Sequence, residues 1–208
     1  MSRPRGARDA DYELKRAALL RRVSARLGRR NETRPSLRQL AEAAEVTAPT
    51  LRHYFGGRDE IVAAVFAEHR RLGDRFIREA AEPVGGLEES VRSFLHNLLQ
   101  GLQRGPLGEV FAVGFVEGLL NEKLGPACLA SMIDPAVEAL SHRLEIHQGR
   151  GEMRLASARN AALMLIAPLV VACHHQAQMF GAAGNPLDLN ALAADMAEAF
   201  VRAYGPSN

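Results

Sequence analysis

The chain has 208 residues, 47% of them hydrophobic and none tryptophan, with 26 Lys and Arg against 24 Asp and Glu. That is enough apolar material for one or two domains with a sizeable core. The modest net charge of +2 hides a division: residues up to Arg58 hold 14 basic and 6 acidic side chains, a local +8 against −6 for the remainder. A basic end of this kind attracts phosphates and gives salt-sensitive binding.

The first eight residues, MSRPRGAR, carry three arginines and nothing to bury. They are expected to be disordered in isolation, as an arm for a minor groove or as a frayed terminus. They lead into no apolar h-region of a secretory signal. From Asp9 to about Arg29 the spacing of Tyr12, Leu19, Leu20, Val23 and Leu27 predicts a helix, and Arg30 to Pro35 a polar loop. Ser36 followed by Gln39 has the spacing of a capping box. Leu37, Leu40, Ala41 and Ala44 then form one apolar stripe of a short helix. Glu45, Val46 and Thr47 break it, with Val46 as a plug and Thr47 as the next N-cap. Pro49 suits the first turn of a second helix, because its missing amide would have no intrahelical partner there. Leu51 and Phe55 can pack inward, leaving the N-terminal half of that helix exposed as a recognition helix requires.

With these residues in place, the segment from Leu37 to Val65, including VTAPTLRHYF and GGRDEIVAAVF, resembles the tetracycline-repressor (TetR/AcrR) family of transcriptional regulators. The resemblance implies a DNA face of Arg38, Thr47, Ala48, Pro49, Thr50, Arg52, His53 and Tyr54. Arg58 stands where that family has a phosphate-binding lysine. Glu45 stands where a turn glycine is usual, and Arg52 where an aromatic is common. The implied domains are a helix-turn-helix DNA-binding domain over 9–57, a connector helix over 58–80 and an effector-binding and dimerisation domain over 81–208.

Gly56-Gly57 ends the recognition helix. Ile61, Val62, Val65, Phe66, Leu72 and Phe76 predict one long connector, and Glu82 to Gly86 breaks the chain. Leu87, Val91, Phe94, Leu98 and Leu102 mark the next helix. Gly105-Pro106 and Gly125-Pro126 bracket another. Asp134-Pro135 reads as an N-cap and first turn of a helix to about Gln148. Ser157 to Gly181 reads as one long helix, and Asp188 caps a last one ending near Tyr204. No strand alternation appears, so the class is all-α: a three-helix head followed by a helical body.

Ala161 to Cys173 are consecutive apolar positions, too few for a bilayer span of roughly 20 residues. A helix apolar all round must be covered on all sides. The resemblance implies a homodimer through the last two long helices, with Ile166, Val170, Ala193, Met196 and Phe200 as the partner face. Phe94, Leu98, Phe111, Phe115, Met132, Met164 and Phe180 are candidate walls of an effector pocket. His96, Glu117, His174 and His175 are its candidate polar anchors, though any single wall residue more readily reads as core filling.

Enzymatic readings find no motif. Cys173, His174 and His175 are consecutive and point about 100° apart on a helix, so they cannot readily share a metal. Cys128 and Cys173 could form one disulfide at most, and a cytoplasmic protein would keep both reduced. The expectation is a cytoplasmic, non-enzymatic regulator without metal, cofactor or membrane, binding a double-stranded DNA operator and a small lipophilic effector that releases it as a repressor. An activator, an effector-independent regulator or a helical module without DNA binding are the alternatives.

Overall fold

A computed structural model describes residues 5–29 and 34–206, with side chains from Asp11 onward. Among the described residues there are twelve α-helices and no strand. They are α1 (Arg5–Leu27), α2 (Leu37–Ala43), α3 (Ala48–Phe55), α4 (Arg58–Leu72), α5 (Asp74–Ala81), α6 (Leu87–Arg104), α7 (Leu107–Leu120), α8 (Leu124–Cys128), α9 (Asp134–Gly149), α10 (Ala158–Ala177), α11 (Gly181–Gly184) and α12 (Leu189–Tyr204). A π-helical turn, Leu129–Ile133, joins α8 to α9.

The helices pack around two cores. Leu19, Leu20 and Val23 of α1, Leu40 and Ala41 of α2, and Leu51 of α3 form the smaller one together with Ile61 and Val65 of α4. This is the head. The body's core runs through α4 to α10 and α12, and it begins with Val62 and Phe66. Successive apolar positions on α4 therefore point into different cores, and α4 belongs to both. Buried Arg143 of α9 ties the body further. Its guanidinium donates to Glu79 O at the end of α5 (2.7 Å) and to Ser90 O on α6 (3.0 Å).

Several expected boundaries are corrected. Helix α1 begins at Arg5 rather than Asp9, so only residues 1–4 of the expected arm lie outside the described residues. The single long connector is two helices meeting at Gly73, and Leu72 is exposed where the chain bends. Pro126 lies inside α8 instead of ending a helix, since a proline in a first turn forfeits no hydrogen bond. Asp134 is not a cap: its backbone is already helical (φ −58°, ψ −43°). The wider π turn shifts the hydrogen-bond register just before Pro135, whose nitrogen has no hydrogen to donate. Helix α10 stops at Ala177, and Phe180 beyond it takes a left-handed conformation (φ 60°).

Candidate nucleic-acid interface

The local chemistry read at 36–55 is present in the fold. Ser36 accepts from Gln39 N while its own amide donates to Gln39 Oε1 (2.8 Å), closing both halves of the capping box. Thr47 accepts from Thr50 N at 3.2 Å, and the two threonine hydroxyls share a 2.8 Å hydrogen bond. Val46 is half-buried against the head core. The tight turn is made without glycine: Glu45 adopts φ 58°, the left-handed region that an L side chain enters at a cost. Arg22 of α1 braces it, donating to Ala44 O at 2.9 Å and pairing with the Glu45 carboxylate at 3.0 Å.

This packing leaves Arg38, Thr47, Pro49, Arg52 and His53 exposed, with Ala48 and Thr50 half-exposed beside them. Leu51 opposite is fully buried. Tyr54 is half-buried and stacks on Tyr12 of α1, with ring centroids 4.9 Å apart. Arg16 lies over the Phe55 ring at 5.2 Å. Tyr12 and Arg16 thus back the end of α3. The sequence signal for this was only their position one turn apart on α1.

Arg58, expected to meet a phosphate, is engaged within the protein. Its Nε donates to Pro35 O (2.7 Å), its Nη1 to Glu117 Oε2 (2.8 Å), and its Nη2 to Glu117 Oε1. The guanidinium is turned toward the body. The physical reason is a buried carboxylate within reach: Glu117 is 2% exposed and needs cationic partners. Glu117 correspondingly does not line the apolar cavity of the body.

That cavity, about 340 Å³, lies between the end of α4, α5, α6, the start of α7, the π turn, the start of α9 and α10. Leu98, Phe111 and Met132 line it as expected, joined by His69, Phe76, Ile77, Leu107, Ile133 and Ile166. The other expected walls are elsewhere. Phe94 is buried in the core, whereas Phe115, Met164 and Phe180 are exposed. His174 packs edge-on against Phe115 (5.3 Å), outside the cavity, while its Nδ1 lies 2.8 Å from Val170 O. His96 is exposed, and His175 pairs with Gln176. Burial depresses the His69 pKa, so this wall residue is neutral near pH 7. Arg70 at the rim is ion-paired with Asp74. Ser131 supplies the remaining uncharged polar group.

Helix α10 is two-sided. Ala161, Leu165, Ile166, Leu169, Val170 and Cys173 face the core, and Leu163, Met164, Ala167, Pro168 and Val171 face out. On α12, Ala193, Ala197 and Phe200 are buried while Ala191, Ala194, Asp195, Glu198 and Ala199 are exposed. Of the residues expected at a partner face, Ile166, Val170, Ala193 and Phe200 are therefore core, and Met196 is half-buried. Both sides of α10 are apolar, so hydrophobicity alone could not say which turns inward.

The whole arrangement is one seen before. A regulator assigned to the TetR family from Mesorhizobium loti MAFF303099 superposes with a TM-score of 0.76 at 16% identity, over 93% of this chain and 98% of that one. The fatty acid degradation regulator FadR from Bacillus halodurans gives 0.72 at 16% identity, over 90% and 94%. SmeT, the repressor of the Stenotrophomonas maltophilia multidrug efflux pump SmeDEF, gives 0.67 at 17%, over 93% and 91%. No protein-family model and no curated protein matches the sequence. At these identities the likeness is one of fold: an all-α head and body in the TetR arrangement.

Proposed function

We propose that this chain is a TetR-family transcriptional regulator that binds a palindromic double-stranded DNA operator as a cytoplasmic homodimer, without enzymatic activity or cofactor. The observation that carries the reading is the exposed N-terminal half of α3, capped by Thr47 and backed by buried Leu51, in the part of the chain that holds the excess of +8. Thr47, Ala48, Pro49, Thr50, Arg52 and His53 would enter the major groove, with Arg38 and Tyr54 at its edges. One such helix reads too few base pairs, and a two-fold dimer doubles the site. The outward apolar face of α10, beside the alanines on the mixed outer face of α12, supports a bundle with a second copy.

The regulator is a repressor released by a small lipophilic effector in the cavity above α5. With His69 neutral, Ser131 uncharged and Arg70 already paired, the cavity suits a mostly apolar, uncharged molecule with one hydrogen-bonding group. Effector and DNA then weaken each other's binding by the same factor, and hundredfold release corresponds to about 2.7 kcal/mol of coupling.

Selection of bound fragments from random-sequence DNA, followed by titration of the enriched site at two salt concentrations, tests the reading. A palindromic motif whose specific binding survives the higher salt is the expected result. Recovery of no motif, with only weak salt-sensitive binding, would reject it.

A further inference from the structure

Glu117 sits in the apolar run FVEGLL of α7, almost fully buried, where a hydrophobic residue would pack without needing charged partners. Two guanidiniums from the head's side close on this one carboxylate. Arg58, the first residue of α4, grips both of its oxygens and is itself held by Pro35 O. Arg34, in the segment leading into α2, donates through Nε to Oε2 at 2.7 Å. One helical turn farther on, Asn121 Nδ2 donates to Asp59 Oδ2 at 2.7 Å. Burial alone would raise the Glu117 pKa, but the hydrogen bonds from Arg58 and Arg34 outweigh it and hold the carboxyl below its ordinary value.

The same two helices also reach the cavity. Helix α7 presents Phe111 to it, six residues and roughly 9 Å of helix from Glu117. Helix α4 presents His69 to it and Arg58 to the carboxylate. Both therefore run from cavity wall to ion cluster. A guanidinium fork meeting a carboxylate fixes direction as well as distance, which a greasy contact does not.

We propose that Glu117 is a positioning residue: gripped by Arg34 and Arg58, its carboxylate sets the angle at which the body holds the head, and α7 carries the state of the cavity at Phe111 to that angle. The inference rests on the DNA-binding reading. In a dimer, the angle decides the separation of the two recognition helices and hence the half-site spacing that is accepted.

The test uses full-length Glu117→Gln, which keeps the side chain's shape and removes its charge. Arg34→Gln breaks one arm at an exposed site and serves as the second variant. Operators made from the motif enriched by the unaltered protein are built with half-sites moved by one and two base pairs. The unaltered protein should prefer one spacing. Glu117→Gln should lose at least about tenfold of that discrimination, with affinity for random DNA and the salt slope little changed. Arg34→Gln should lose a smaller part. Hydrogen exchange of the DNA-free proteins gives a readout independent of any operator: amides of α2, α3 and the first turn of α4 should exchange faster in Glu117→Gln, while α9 stays protected. Full retention of spacing discrimination, or unaltered exchange in the head, would overturn the proposal. So would tighter binding to all DNA with a steeper salt slope, since the arginines would then be phosphate ligands withheld by Glu117. If the unaltered protein enriches no motif, the DNA reading fails separately, and the exchange measurement alone decides whether Glu117 holds the head.

Discussion

Helix α7 can be trusted to link cavity and head only if its own seat is tight, and Gly114 makes that testable. A Cβ added there would lie 2.5 Å from Cys128 Sγ on α8, far inside van der Waals contact. Gly114→Ala must therefore push α7 from α8 or rotate Cys128. Overpacking of this kind costs about 1–3 kcal/mol, against a gain of roughly 0.5–1 kcal/mol for replacing a helical glycine by alanine. A net destabilisation of about 1–2 kcal/mol is expected. Cys128→Ala alone empties the space of one buried sulfur and should cost on the order of 1 kcal/mol. Combined, the two changes fit each other: with the sulfur gone, the nearest atom of residue 128 is its Cβ, 3.8 Å from the new methyl. The double variant should thus be no worse than Cys128→Ala, a coupling of about 1–3 kcal/mol in favour of the pair. Urea denaturation of the four proteins at one fixed concentration measures it, the fixed concentration removing any dimer contribution. Additivity within about 0.3–0.5 kcal/mol would refute the close α7–α8 contact.

Other expectations follow from the same coordinates. At Glu45, Gly should be more stable than Ala by about 1 kcal/mol, the reverse of neither being preferred, because both lose the Arg22 pair and only Ala keeps the left-handed strain; thermal unfolding of the two variants decides. Val171→Glu, on the outer face of α10, should convert dimer to monomer in sedimentation with helix content retained, while Val170→Glu one position away should fail to fold, since Val170 is buried. Burial lowers the His69 pKa in the folded chain, so below about pH 6.5 the unfolded chain binds a proton that the folded one refuses, and stability falls with falling pH. His69→Gln should flatten that fall; an unchanged profile would mean His69 is not the buried base described. Cys173, raised to about 11 by burial, should react with thiol reagents only on unfolding.

What the sequence made legible is what neighbours in the chain decide. The Ser36 and Thr47 caps, Pro49 in a first turn and the Asp188 cap all act within three residues, and each is found as read. The pairing of Arg58 with Glu117 was illegible because the two are 59 residues apart, and spacing holds no record of such a meeting. The faces of α10 were illegible for a different reason: an apolar residue turned to the core and one turned outward look the same when both sides are apolar. Ile166 illustrates it, read as a partner contact and found on the cavity wall. The cavity walls in general are assembled from seven separate elements, so only Leu98, Phe111 and Met132 among them could be guessed from their apolar character.

The sharing of α4 between two cores bears on how far the head is a detachable module. Ile61 and Val65 belong to one core, and Val62 and Phe66 to the other. The border between the two units thus runs lengthwise along a helix, with no peptide bond at which it could be cut cleanly. A hybrid joining this body to a head from another protein of this fold would have to keep two interleaved sets of α4 residues, one matched to the incoming head and one to the resident body. Under the proposed DNA-binding function, a new operator preference would arise more easily by exchanging the outward side chains of α3, which no core constrains, than by recombining whole heads.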